Sequence, residues 1–289
     1  MFLKTRMVSA LAACVCAAVL SACGGQTETA DETRRVVIGG ALTETLYALN
    51  QDDGIVAVDI TSTYPEDVTD LPKVGYPRAI SAEGVLGVKP TEIIAIDDIG
   101  PQAAVKQIEA TGVKVITVSK PEDMRGVYTM ISTLGALTGT EKKATDLANA
   151  IWEAEEDLSQ RIAQTQKPKA LLVLVHGKGP PMVAGRGTAG DGILALSGAE
   201  NVAAGFEGYK PLTPEAVVEL APEVIVTSTE GLDQHGGSSG LLSAPGFSET
   251  PAGKAGRVVA LDPLLLLGFG PRTVEAANIL FEAYHQSAE

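Results

Sequence analysis

Three cysteines and three histidines are all that 289 residues hold of either type, and aromatic side chains make up 4% of the chain. Cys14 and Cys16 fall inside the apolar run that opens the sequence, which leaves Cys23 by itself and excludes a disulfide within whatever folds downstream. With so few histidines there is no zinc-type His/Glu cluster, and a free-standing metal-ion carrier, which draws on several His and carboxylates, is disfavoured. A secreted hydrolase is the less favoured reading, and the chain is expected not to be an enzyme. Neither the dinucleotide nor the P-loop glycine pattern accompanies Gly39-Gly40, which reads as a tight strand-to-helix turn. Positive charge is scarce as well, with 22 Lys+Arg against 36 Asp+Glu. If Lys4 and Arg6 leave with an N-terminal leader, 20 basic residues face the same 36 acidic ones, a formal charge near −16 that argues against a nucleic-acid partner.

What is present begins with that leader. Residues 1–22 show a basic start, an apolar run from about Val8 to Leu20 and small residues after it, too short for a membrane span. Leu20-Ser21-Ala22-Cys23 resembles the bacterial lipoprotein signal, in which the cysteine is acylated and becomes the new N-terminus. Residues 23–33 are polar and acidic and read as a flexible tether between lipid and folded chain.

Beyond the tether, β-branched runs alternate with helix-like stretches, the pattern of a parallel α/β architecture. Strands are expected at Arg35–Gly40, Ile55–Asp59, Glu92–Ile96 and Lys114–Val118, making an N-terminal α/β lobe over 34–120. From 121 to 167 the pattern is helical, and the absence of Gly and Pro between Glu141 and Gln166 predicts one helix roughly 39 Å long that joins two lobes. Its apolar positions, Trp152 included, are expected to pack inward. The second lobe, 168–289, restarts at Ala170–His176. It continues through a glycine-rich loop, Gly177 to Gly192, and strands at Glu223–Thr227 and Arg257–Leu261, with a last helix from Pro271 towards Tyr284.

An internal repeat supports two similar lobes. Ser81-Ala82-Glu83-Gly84-Val85-Leu86-Gly87-Val88-Lys89-Pro90 and Thr213-Pro214-Glu215-Ala216-Val217-Val218-Glu219-Leu220-Ala221-Pro222 each give a hydroxyl N-cap, a glutamate in the first turn, a short apolar helix, then proline and a strand. Gly75-Tyr76 and Gly208-Tyr209 precede them in parallel. Two such lobes make a cleft at the carboxyl ends of their strands. The turn Val74-Gly75-Tyr76-Pro77-Arg78 is the stretch with most chemistry in it. If it stays extended through Arg78, the phenol and the guanidinium share a face, the cation favours phenolate, and phenolate is a ligand for ferric iron. The same spacing also fits an ordinary turn tyrosine with its ring half buried.

The lipoprotein start, the strut helix and the paired Ser/Thr-x-Glu helices resemble the helical-backbone class of ABC-transporter substrate-binding proteins, which carry siderophores, cobalamin and haem. The turn at Gly75–Arg78 running into Ser81–Gly84 is similar to that of the haem-uptake members, as are Ala184-Gly185-Arg186-Gly187-Thr188-Ala189-Gly190 and Leu267-Gly268-Phe269-Gly270-Pro271-Arg272-Thr273. The resemblance implies two Rossmann-like lobes joined by one long backbone helix, with Tyr76 as axial ligand of ferric haem and Arg78 supporting the phenolate or a propionate. It also implies docking of Glu83 and Glu215 on an ABC permease dimer served by its ATPase, and a monomer anchored outside the cytoplasmic membrane through Cys23. His176, at a strand end, is a candidate for the opposite axial ligand or equally a structural residue; His235 and His285 read as surface residues. Tyr209 is a candidate for the wall opposite Tyr76, and Arg186 and Arg272 for propionate anchors, the alternative for both arginines being rim salt bridges. A ferric siderophore or a corrinoid in the same fold is the second reading of the cargo.

Overall fold

The computed structural model describes residues 33–175 and 181–285, so the leader, Cys23 with the tether up to residue 32, and His176 lie outside the described residues. In the N-terminal half, β1 (Arg35–Ile38), β2 (Ile55–Val58), β3 (Glu92–Ile96) and β4 (Lys114–Val118) form a parallel sheet in the order β2-β1-β3-β4. Val36, Val37 and Ile38 are consecutive and all fully buried, which is why β1 reads as an unbroken apolar run: α1 (Gly40–Ala48) and the chain around it cover both faces. The chain leaves β1 to one side for β2 and to the other for β3, and such a reversal opens a crevice at the carboxyl ends. Helices α2 (Ala82–Gly87) and α3 (Gln102–Glu109) flank β3 in sequence.

Two helices follow, α4 (Met124–Thr138) and α5 (Glu141–Ile162), separated by Gly139 in the left-handed conformation. The second half contains β5 (Lys169–Leu174), β6 (Met182–Ala184), α6 (Ala189–Leu196), β7 (Glu200–Asn201), β8 (Tyr209–Pro211), α7 (Pro214–Leu220), β9 (Val224–Ser228), α8 (Thr229–Gln234), α9 (Gly237–Leu242), α10 (Pro251–Ala255), β10 (Val258–Leu261), α11 (Pro263–Leu267) and α12 (Thr273–His285). Its sheet runs β10-β9-β5-β6-β8, with β7 also pairing β5. Strands β10, β9, β5 and β7 are parallel, but β6 is antiparallel to β5 and to β8. The expectation of a plain glycine-rich loop over 177–192 is therefore corrected. Three residues between Pro181 and Gly185 are too short to show a period of two, and Pro211 marks β8 as the edge strand, where its missing N–H costs no ladder bond. Alternate residues of β5 serve two cores: Ala170 and Leu172 join the one shared with the N-terminal half, while Leu171, Val173 and Val175 build a second.

Helix α5 spans both halves. Near its start the Lys143 ammonium donates to the Leu49 carbonyl at 3.1 Å. Near its end Arg161 donates to Asn278 Oδ1 at 3.0 Å, stacks 4.8 Å from the Phe281 ring centre and pairs with Glu282, all on α12. Its 22 residues run roughly 33 Å, shorter than expected, because Pro168 clashes with a helical carbonyl four residues back and disfavours the helical conformation at Lys167. Ala144, Ile151 and Leu158 repeat every seven residues as the buried stripe. Trp152, one step round the helix from that stripe, is 55% exposed, so its assignment to the core is corrected.

Candidate functional site

A cavity of ≈ 540 Å³ lies between the halves, within the range of small-molecule and cofactor sites, about 300–1,000 Å³. Almost every lining segment follows the carboxyl end of a strand. Gly39, Gly40 and Ala41 come after β1, Ile60, Thr61 and Thr63 after β2, Asp98 after β3, Lys120 and Pro121 after β4, Glu230 after β9, and Asp262 with Leu264 after β10. The crevice at the β1/β3 reversal thus faces the ends of β9 and β10, as the repeat implied. Close approach is built in at Gly40, where a Cβ would come within 2.5 Å of Leu264 from the opposite half. Buried Asp59 ties the floor together, accepting from Gly39 N at 2.8 Å, Thr61 N at 2.8 Å and Ser62 Oγ at 2.7 Å.

The Tyr76 turn hangs between two strand ends. Ile60 N donates to Gly75 O at 3.0 Å, Ile80 N to Gly100 O at 2.8 Å and Gly100 N to Pro77 O at 2.9 Å. Gly75 has φ 106, a conformation that excludes ordinary side chains, and Tyr76 is extended at φ −82, ψ 141. The extended chain stops there. Pro77–Ala79 forms a 3₁₀ turn, because proline fixes a φ suited to the first helical position, so Tyr76 and Arg78 do not share a strand face. They meet in the cavity all the same, since both line it. Arg78 donates through Nε at 3.1 Å and Nη2 at 2.9 Å to Asp98 Oδ2, and that bond first, with Tyr76 and Tyr209 adding to it, raises its pKa.

Tyr209, at the start of β8 in the other half, is not among the residues lining the cavity. Its hydroxyl accepts from Gly190 N at 3.4 Å, and burial foremost, with Glu122 adding, pushes its phenol up against the opposing pull of Gly190, Thr188 and Arg78. Phenols of both halves therefore act on the Arg78 charge. Arg186 sits on the exposed turn before α6, its backbone bonded to Phe206 and Gly208, outside the cavity lining. Arg272 is likewise not among the lining residues. It donates from Nη2 to Glu44 Oε2 at 2.9 Å and from its backbone to Glu44 Oε1 at 3.2 Å, with its guanidinium 3.5 Å from the Tyr64 ring centre. Burial is the largest single influence and works against its charge, but the bond to Glu44, the Glu44 charge, Tyr64 and Glu275 together raise the pKa. Glu44 belongs to α1 and Arg272 starts α12, so this pair pins the two halves behind the cleft.

Glu83 and Glu215 are exposed in the first turns of α2 and α7. Both N-caps form as read from the sequence: Ser81 Oγ accepts from Gly84 N at 3.2 Å and Thr213 Oγ1 from Ala216 N at 3.3 Å. The parallel extends further, since Lys89 at φ 51 and Ala221 at φ 46 place a left-handed residue before each following proline. Bonds from its own backbone N–H and from the Thr213 hydroxyl hold the Glu215 carboxyl below its ordinary value. Sequence reasoning missed Asp98, Lys120, Glu230 and Asp262. Listing the first residues after each strand would have found them, because those positions line the crevice of an open α/β sheet.

The family model described as "Periplasmic binding protein" matches residues 36–265. Among solved structures, the periplasmic heme-binding protein BhuT, determined in complex with two hemes, is 40% identical, superposes with a TM-score of 0.81 and covers 86% of this chain and 97% of its own. The ABC transporter substrate-binding lipoprotein YvrC of Bacillus subtilis is 31% identical over 247 residues, 84% of this chain and 77% of that protein. A vitamin B12-binding protein of Yersinia pestis is 28% identical over 204 residues, 70% of this chain and 72% of that protein. The chain belongs to the periplasmic binding protein family, among the substrate-binding proteins of ABC transporters.

Proposed function

We propose that this protein captures ferric haem outside the cytoplasmic membrane and delivers it to an ABC importer. The observation that carries the reading is the inter-lobe cavity in which the Tyr76 phenol and the Arg78 guanidinium stand together against apolar walls from Ile60, Pro77, Ile96, Leu264 and Leu267. A flat apolar macrocycle is sheltered by such walls, its iron is bound by phenolate oxygen, and a cation beside that oxygen favours the charged form. The likeness to BhuT supports this cargo. In the same reading the lobes are 34–120 and 168–289, linked through 121–167, and Cys23 carries the lipid anchor of a monomer. Glu83 and Glu215 meet the permease, and His176 is the candidate for the second axial ligand or for a second haem. Arg186, whose guanidinium has no partner among the described residues, remains the candidate for a propionate, whereas Arg272 is already engaged by Glu44 and serves the junction of the lobes instead.

The test is an absorption spectrum on mixing with hemin. A Soret band with a ferric-phenolate charge-transfer feature is expected, and its absence, with binding of cyanocobalamin instead, would give the cleft to a corrinoid. That second reading is favoured by the likeness to the vitamin B12-binding protein.

A further inference from the structure

The charges lining the cavity are divided by wall. Arg78 and Lys120 stand with Asp98 on the N-terminal side, whereas Glu230 and Asp262 stand on the C-terminal side. Asp98 binds Arg78 closely through Oδ2 and approaches the Lys120 ammonium with that same oxygen at 3.9 Å, beyond hydrogen-bond distance. Its other oxygen, Oδ1, is buried without a partner. Arg78 is thus engaged, while Lys120 keeps its N–H donors uncommitted to any acceptor among the described residues. The backbone beneath is fixed, with Lys120 N donating to Asp97 Oδ1 at 3.1 Å and Asp97 N to Val118 O at 3.0 Å. The Lys120 side chain is 32% exposed, so an ion pair there is screened only in part.

Resting on the haem reading, we propose that Lys120 is a specificity-determining residue that binds a carboxylate of the ligand. The acid edge of the macrocycle then lies on the N-terminal wall and its carboxylate-free edge faces Glu230 and Asp262. A cation with free donors attracts a carboxylate by a charge-assisted bond, and the two carboxylates across the cleft repel the same edge. Asp98 restrains both cations and leaves them one positive charge in excess.

The experiment titrates ferric protoporphyrin and its dimethyl ester, which lacks the two carboxylates, into the full protein, Lys120→Ala and Lys120→Arg, followed by Soret absorption. Lys120→Ala should weaken the diacid by about tenfold, the scale of a partly screened charged hydrogen bond, and leave the ester unchanged. Lys120→Arg should restore most of the loss, and salt should weaken the diacid more in the unsubstituted protein than in Lys120→Ala. Ester binding doubles as the check that the variant is folded. An unchanged diacid affinity in Lys120→Ala, or an equal loss for both porphyrins, overturns the proposal while the haem reading stands. If the unsubstituted protein binds neither porphyrin, both fall.

Discussion

Tyr76 and Tyr209 act on Arg78 from opposite lobes, and their surroundings differ. Tyr209 is pushed up by burial, so its phenol stays protonated at neutral pH. Tyr76 is 42% exposed and opens on the cavity beside Arg78. A free tyrosine titrates near pH 10, and about three units of depression, roughly 4 kcal/mol, separate it from phenolate at neutral pH. In the haem reading iron coordination supplies most of that, because Arg78, with its side chain 58% exposed and already paired, acts through a partly screened field. Tyr76→Phe should therefore abolish the ferric-phenolate band and weaken hemin strongly, and Arg78→Ala should weaken it less. Tyr209→Phe should leave the band in place. Loss of the band in His176→Ala but not in Tyr76→Phe would hand the iron to histidine. Glu44 gives a stability prediction at the same scale. Its carboxylate is 5% exposed and paired with Arg272, so Glu44→Ala should cost about 3 kcal/mol in denaturant unfolding, the cost of a buried charge left without its partner. A change below about 0.5 kcal/mol would show that water replaces Glu44 at no cost.

Among the elements, the contact of α4 with α5 turns on a glycine whose helix propensity argues against it. Alanine would stabilise an ordinary helix position by about 1 kcal/mol over glycine. At Gly135, however, a Cβ would stand 2.4 Å from Ala144 Cβ, and overpacking of this kind costs about 1–3 kcal/mol, so the packing term wins. Gly135→Ala should destabilise by up to about 2 kcal/mol, the packing cost less the propensity gain. Gly135→Ala with Ala144→Gly should recover most of it in a double-mutant cycle, and additive losses would mean that the helices do not meet there. The repeated helices α2 and α7 were legible because their signals are local: a hydroxyl cap, a first-turn acid and a proline stop. β6 and β8 carry no such local signal and exist only because β5 offers an edge to pair with.

For the molecule as a whole, one apolar core runs from β1 and α1 through α4 and α5 into α6 and α12. A wide hinge opening would tear that core, so haem should be taken up with backbone shifts of about 1 Å or less, and X-ray scattering of the free and hemin-bound protein should give nearly the same radius of gyration. Glu83 and Glu215 are exposed on separate lobes, with α2 seated on the shared core through Val85 and α7 on the second core through Val217, the two cores lying on opposite faces of β5. In the docking reading they act as a pair of fixed pegs. Glu83→Lys with Glu215→Lys should then abolish haem uptake by cells while leaving the hemin titration unchanged, and undiminished uptake would remove the docking role.

By itself, the sequence determined the alternation of strands and helices, the two caps of the repeat and the strut helix, because each follows from neighbours within a few residues or from an unbroken period. It also put Tyr76 and Arg78 on one constrained turn. Only the tertiary structure decided which arginine lines the cavity: Arg78 does, and Arg186 and Arg272 do not. Arg272 shares the glycine and proline surroundings of Arg186, yet its partner Glu44 lies 228 positions away and draws it to the lobe junction. Lys120 and Asp98 likewise look like ordinary loop charges until β3 and β4 pair in parallel and set their ends side by side. Local signals fix elements because a turn or a cap is satisfied by its own neighbours. The charge around a cleft is summed over strand ends far apart in the chain, and no stretch of sequence contains that sum.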